Sequence, residues 1–175
     1  IEAGTDVTLR ATTGGVGGAA ALDANAVTVA ASGSVAAGVG GAVANLSSAA
    51  EVTLGEGVSI TGPAARNLNS LTLEAARSEV LDVRVDNVAV GVVGGIGTAV
   101  TRVSNTGVSA VKTATGGTLA VLRATTARIT ASDASRMLAT SVGSAGGILA
   151  GANGSDAEAR NSGRTELLLD RVDLQ

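Results

Sequence analysis

Glu79, Asp82 and Asp86 are the first residues of this sequence whose type and spacing could do chemistry, because crowded carboxylates are hard-cation ligands. The three lie close together in the sequence and are expected on an outward face, where calcium would find oxygen ligands. Arg84 stands between Asp82 and Asp86, and the G-G-x-G-x-D repeat of calcium-binding solenoids is absent. The expectation is therefore a solvated charged face with no metal site. The threonines of "TLRATT" and "RATTARIT" raise ordered-water chemistry, since Thr-x-Thr ranks on a solenoid face can bind ice. A rank needs the same residue on every coil, and the equivalent "TLEAAR" does not supply it.

Other signatures are weaker. "GGVGG" at Gly14–Gly18 lacks the G-x-x-x-x-G-K-[ST] frame of a phosphate loop, and Lys112 precedes Thr113 without the glycines that frame requires. Asn45-Leu46-Ser47 and Asn153-Gly154-Ser155 fit the glycan acceptor pattern. Paired-acid sugar hydrolysis would have to proceed with no aromatic platform. No catalytic, cofactor-binding or metal-ligating residue is assigned, and no cofactor is expected.

Composition narrows the field further. The 175 residues contain no His, Cys, Trp, Tyr or Phe, which excludes histidine acid–base chemistry, thiolate nucleophiles and soft metal ligation. Twelve basic residues against fifteen acidic ones leave a net charge of −3, with Lys112 the only lysine. With no basic stripe and no stacking platform, nucleic acid is not an expected partner. The apolar run Val88–Val100 is bracketed by Asp86 and Arg102, well short of the about 20 residues of a spanning helix, so no membrane span is expected. The opening at Ile1 reads as a piece of a longer chain.

What would position any of these residues is a repeat. An alternating element reads "DVTLRA" (Asp6 to Ala11), "SLTLEA" (Ser70 to Ala75) and "LAVLRA" (Leu119 to Ala124), with "ELLLD" a fourth form. A smooth element reads "VAAGVGGA" from Val35, "VAVGVVGG" from Val88 and "LATSVGSAGG" from Leu138. The spacings give a period of about fifty residues and repeats over roughly 6–69, 70–118 and 119–170, with "TTGGVGGAAALDANA" as inserted material in the first.

Within a repeat the period is 2. "VLDVRVD" sets Leu81, Val83 and Val85 against Asp82, Arg84 and Asp86, "AVTVAAS" places Val27 and Val29 together, and "EVTLGEGVSIT" aligns Val52, Leu54, Val58 and Ile60 around a turn. A helix over Pro63 to Leu81 competes, but "SLTLEA" aligns with the better strand former "DVTLRA". The expected fold is an all-β parallel β-solenoid (β-helix) over residues 1–175, with a thin Ala/Gly/Val core. The expected core residues are Leu9, Val35, Val39, Leu73, Leu81, Val83, Val85, Val88, Val90 and Leu122. Each repeat is either one large coil or two small ones.

The order of "SLTLEA", "RSEVLDVRVD", "NVAVGVVGGIGTAV" and the polar turn "SNTGVSAV" resembles the repeats of large bacterial surface proteins of the filamentous-haemagglutinin kind, and above all the leukotoxin-like filamentous adhesins. That resemblance implies a secreted, surface-displayed stalk or adhesive segment. Its expected neighbours are further repeats of the same chain or identical copies end to end, and a receptor on a host or bacterial surface. A self-assembling filament subunit is the alternative, and an ice-binding solenoid a remote one.

Overall fold

Alternation of apolar and polar residues, clearest over Glu79–Gly91, gives strands whose successive side chains leave opposite faces. The computed structural model describes residues 5–13, 20–115 and 117–175. The first coil contains β1 (Asp6–Thr13), β2 (Ala20–Ser32), β3 (Val35–Leu46), β4 (Ala49–Leu54) and β5 (Ser59–Ile60). The second contains β6 (Leu68–Arg77), β7 (Glu79–Gly91), β8 (Gly94–Asn105), β9 (Val108–Thr113) and β10 (Ala120–Leu122). The third contains β11 (Ala124–Asp133), β12 (Arg136–Gly146), β13 (Ala150–Asn161), β14 (Arg164–Leu168) and β15 (Val172–Leu174). Each strand pairs in parallel with its equivalents, giving five three-stranded sheets, and the chain is a parallel β-solenoid with one five-strand coil per repeat. The segment is strand from Leu68 to Arg77, as the match of "SLTLEA" to "DVTLRA" predicts, and the competing helix is limited to a short 3-10 turn at Pro63–Ala65.

The ladders correct the repeat length. Asp6–Ala11 lies against Ser70–Ala75, as the matching motifs predict. Across the sheets of β2, β3 and β4 the offsets are 59 between coils one and two (Asn45↔Ser104) and 56 between coils two and three (Asn105↔Asn161), and in the closing sheet they are 62 (Ser59↔Val121) and 52 (Ala120↔Val172), all longer than fifty. Val35 pairs with Gly94, while Val88 pairs with Val29, so the two smooth runs are not equivalent. "VAVGVVGGIG" straddles the turn between β7 and β8. The third counterpart of "SLTLEA" is Thr126–Ala131, because Ala120–Leu122 belongs to the closing sheet. The shift from Thr13↔Arg77 to Ala20↔Glu79 shows that coil one carries extra residues between Thr13 and Ala20, within the stretch read as inserted.

In cross-section the solenoid has a wide end and a blade. Sheets β1-β6-β11, β4-β9-β14 and β5-β10-β15 enclose a leucine-rich core containing Leu54, Ile60, Leu68, Leu71, Leu73 and Leu122. Sheets β2-β7-β12 and β3-β8-β13 face each other around Leu81, Val83 and Val103. From there the inward residues of β7 shrink through Val85, Asn87 and Ala89 to Gly91, and the facing residues of β8 shrink from Val103 through Thr101 and Ala99 to Gly97 and Gly95. The taper makes the blade thin towards its tip.

Burial corrects part of the expected core. Leu73, Leu81, Val83, Val85 and Leu122 are buried and Leu9 packs half-buried against the core, whereas Val88 is half-buried on the outward side of β7, on the face of Asp86 and Val90. Val35, Val39 and Val90 likewise point outwards, at 57%, 76% and 52% exposure. Their neighbours Ala36, Gly38, Gly40 and Ala89 take the inward positions, because the sheets are too close for valine. A Cβ on Gly38 would lie 2.7 Å from Asn87 Oδ1, and one on Gly97 would drive into the Ser144 carbonyl oxygen. Gly97→Ala is therefore expected to lower stability by about 1–3 kcal/mol, since backbone must move. Gly41→Ala, whose Cβ would meet only an ordinary contact at 3.7 Å, should leave the urea midpoint close to unchanged.

Candidate functional site

Inward alternation along β6 runs Leu71, Leu73, Ala75 and then Arg77, so the period that builds the core also drives a guanidinium into it. Arg77 is buried where the wide end meets the blade. An isolated charge there would be prohibitive, and the chain surrounds it with acceptors. Arg77 Nη2 donates to Glu79 Oε2 at 2.7 Å and to Asn105 Oδ1 at 2.9 Å, Nη1 to Asp133 Oδ2 at 3.0 Å, and Nε to Ser48 Oγ at 3.1 Å. Ser48 belongs to coil one, Glu79 and Asn105 to coil two, and Asp133 to coil three. One side chain thus ties all three coils together at the waist. Gly107 leaves the space, since a Cβ there would collide with the guanidinium.

The opposite corner is built from Asn-x-Gly turns. Asn105 Oδ1 accepts from Gly107 N and Asn161 Oδ1 from Gly163 N, each at 3.0 Å, and Asn105 Nδ2 donates to Asn161 Oδ1 at 3.1 Å. The two asparagines occupy equivalent positions in successive coils and form a short ladder. In the blade, buried Asn87 donates to the carbonyl oxygens of Gly38 (2.5 Å) and Thr98 (2.6 Å), joining facing sheets where glycine cannot.

Burial pushes the Glu79 carboxyl upwards, but hydrogen bonds from Ser48 and Arg77 and the charge of Arg77 outweigh it, so it titrates below its ordinary 4.5. A depressed native value contributes stability that is present above the unfolded value and drains as pH falls through the native one. In acid titrations followed by far-UV circular dichroism, stability should fall on the acid side of 4.5. Glu79→Gln should flatten that fall.

Glu79 therefore leaves the outward face on which it was expected with Asp82 and Asp86. Asp82 and Asp86 remain outward, and Arg84 Nε pairs with Asp86 Oδ2 at 2.7 Å. Among the described residues no group of three or more acidic, histidine or cysteine side chains is placed to hold a metal ion. Threonines do not align across coils on β1-β6-β11: the columns read Thr8, Thr72, Arg128 and Arg10, Glu74, Thr130. Asn45 is exposed beside Ser104, and Asn153 Nδ2 donates to Gly143 O at 2.9 Å. The "GGVGG" loop lies outside the described residues. No described helix is long and apolar enough to cross a membrane. At the blade tip an apolar groove of about 720 Å³ is lined by Val90, Val92 and Ile148 among others.

The sequence reading missed Arg77 and Asn87, though the signal was present: both continue an inward alternation into a polar residue. Stacked coils, tapered blade and clamped waist define a solenoid repeat protein. Comparison with family models, curated proteins and solved structures finds no match for the chain.

Proposed function

We propose that this chain is a structural and adhesive segment of a secreted bacterial surface fibre, acting as a stalk through length, stiffness and repeated surface. The observation that carries the reading is the state of the end coils. Inward side chains of coils one and three, such as Leu22, Ala24, Met137 and Ala139, occupy core columns yet stay partly or largely exposed, where Leu81 and Val83 between them are buried. Such columns are completed by another coil. The outer edges of β1–β4 and β11–β15 likewise present backbone groups to whatever stacks on them.

Further repeats of the same chain fit these ends better than identical copies. A copy stacked in register would bring Glu166 beside Glu51 of its neighbour, since both share the column of Ala110. Like charges directly opposite are unfavourable. The resemblance of the repeats to filamentous adhesins supports the same reading and points to the cell surface, with recognition by outward side chains rather than a reaction centre. Electron microscopy of the purified 175-residue chain tests the choice. Discrete particles three coils thick, about 14 Å along the axis, are expected; long uniform fibres would replace the stalk with a self-assembling filament subunit, and a purified chain without β circular dichroism would remove both.

A further inference from the structure

We propose that the solenoid is polar along its axis: the axial face of coil three is its receiving end, and the partner that face takes is a further coil built like coil two. This deepens the stalk reading above and rests on it. Core columns of the wide end carry the polarity. Val52, Val111 and Leu167 share one inward column and are 7%, 0% and 51% exposed. Ile60, Leu122 and Leu174 share another, at 0%, 1% and 54%. Coil one is a terminal coil too, yet its ends of these columns are buried, whereas the coil-three ends stand open in water. Blade columns are open at both ends, as Leu22 and Met137 show, so the wide end is what tells the two apart.

Hydrogen bonds at the waist run in the same direction. Arg77 Nη2 donates to Asn105 Oδ1, and Asn105 Nδ2 donates to Asn161 Oδ1. Coil one has Leu46 in this column, so the ladder starts in coil two and runs towards coil three. Among the described residues nothing accepts from Asn161 Nδ2, and the ladder ends there on a free donor. Charge then selects the kind of coil. Only coil two would set an asparagine over Asn161 together with cations over Asp133 and Glu158, because Arg77 and Arg102 share those columns. It would repeat from above the ion pairs that Arg77 and Arg102 already make from below, and no like charges would meet in any paired column. A coil-one sequence would strand Asn161 against Leu46 and set Glu51 over Glu166. A coil-three sequence would set Asp133 and Glu158 over themselves, and like charges directly opposite are unfavourable.

A second copy of residues 68–123 joined after Gln175 tests this on the full chain. Ala124 N donates to Gln175 O as Leu68 N donates to Arg123 O, so the added coil enters in register over β11. The extended chain is expected to unfold in urea at a higher midpoint than the 175-residue chain, with added β circular dichroism. With Gly154→Cys in coil three and Thr98→Cys in the added coil only, oxidation should give an intrachain disulfide in high yield, since the two positions share a column. Asn161→Asp keeps the acceptor used by Gly163 N and Asn105 Nδ2 but removes the free donor. It should lower the midpoint of the extended chain and leave that of the 175-residue chain close to unchanged. The same coil placed before Ile1 is the control and should give a smaller rise. An equal or larger rise from that control would overturn the polarity and leave the stalk reading standing, whereas no rise from either extension would remove both. Cysteines that stay reduced, or an equal effect of Asn161→Asp in both chains, would overturn the fit of a coil-two partner.

Discussion

Arg77→Met should destabilise the solenoid by about 3–5 kcal/mol, the cost of leaving buried carboxylates without their cation. Methionine replaces much of the arginine volume but none of its donors, so Glu79 and Asp133 lose the cation they share while Ser48 and Asn105 lose the hydrogen bonds they accept. Because the partners come from all three coils, the loss should appear as earlier unfolding of the whole array in urea. Removing the stranded charges as well, in Arg77→Met/Glu79→Gln/Asp133→Asn, is expected to recover much of the stability. Arg77→Lys should behave more like methionine than arginine, since a single ammonium cannot reach the four acceptors that the guanidinium fork holds. A small effect of Arg77→Met alone would mean that the waist is solvated and the clamp does not exist.

The second large effect separates the two faces of the blade. Val83→Asp should cost at least about 4 kcal/mol, or prevent folding, because the carboxylate would enter a fully buried position between facing sheets. Val39→Asp should leave the β circular dichroism and the urea midpoint close to those of the parent, since that side chain already stands in water. A reading of the smooth runs as interior makes both substitutions equally damaging. Loss of folding in both would return Val39 to the core and invalidate the inward assignment of Gly38 and Gly40.

Different physical signals decided how much of this was legible in the sequence. Leu81, Val83 and Val85 against Asp82, Arg84 and Asp86 is a strong period-2 contrast, and it fixed strand, facing and burial together. "DVTLRA" and "SLTLEA" share both polarity pattern and bulk, and they pair residue for residue. The smooth runs share only smallness. Gly, Ala and Val suit a strand, a tight turn and a close sheet contact equally well, so matching Val35 to Val88 joined the start of β3 to the end of β7. The placing of valine inside also followed the usual ranking of residues by hydrophobicity. In the blade, steric closeness overrides that ranking, and the hydrogen atom of glycine is what fits.

The waist was hidden for another reason. Alternation places position 77 inside, but whether an arginine there can be tolerated depends on partners 29 positions back and 56 positions on. Those partners are known only once the coil register is known, and a repeat taken as fifty residues brings the wrong ones together. Asn87 poses the same problem within the blade, where its two acceptors lie on the facing sheet, one of them in another coil.

The register of the coils carries everything else, and paired cysteines in this cysteine-free chain measure it most directly. Val39 and Thr98 face each other on adjacent parallel strands, outward and accessible, at a separation that a disulfide spans. Oxidation of the Val39→Cys/Thr98→Cys variant is expected to give a monomeric intrachain disulfide in high yield, and Val39→Cys/Val92→Cys is expected to stay reduced. A disulfide in the second variant and none in the first would contradict the 59-residue register and the five-strand coil with it.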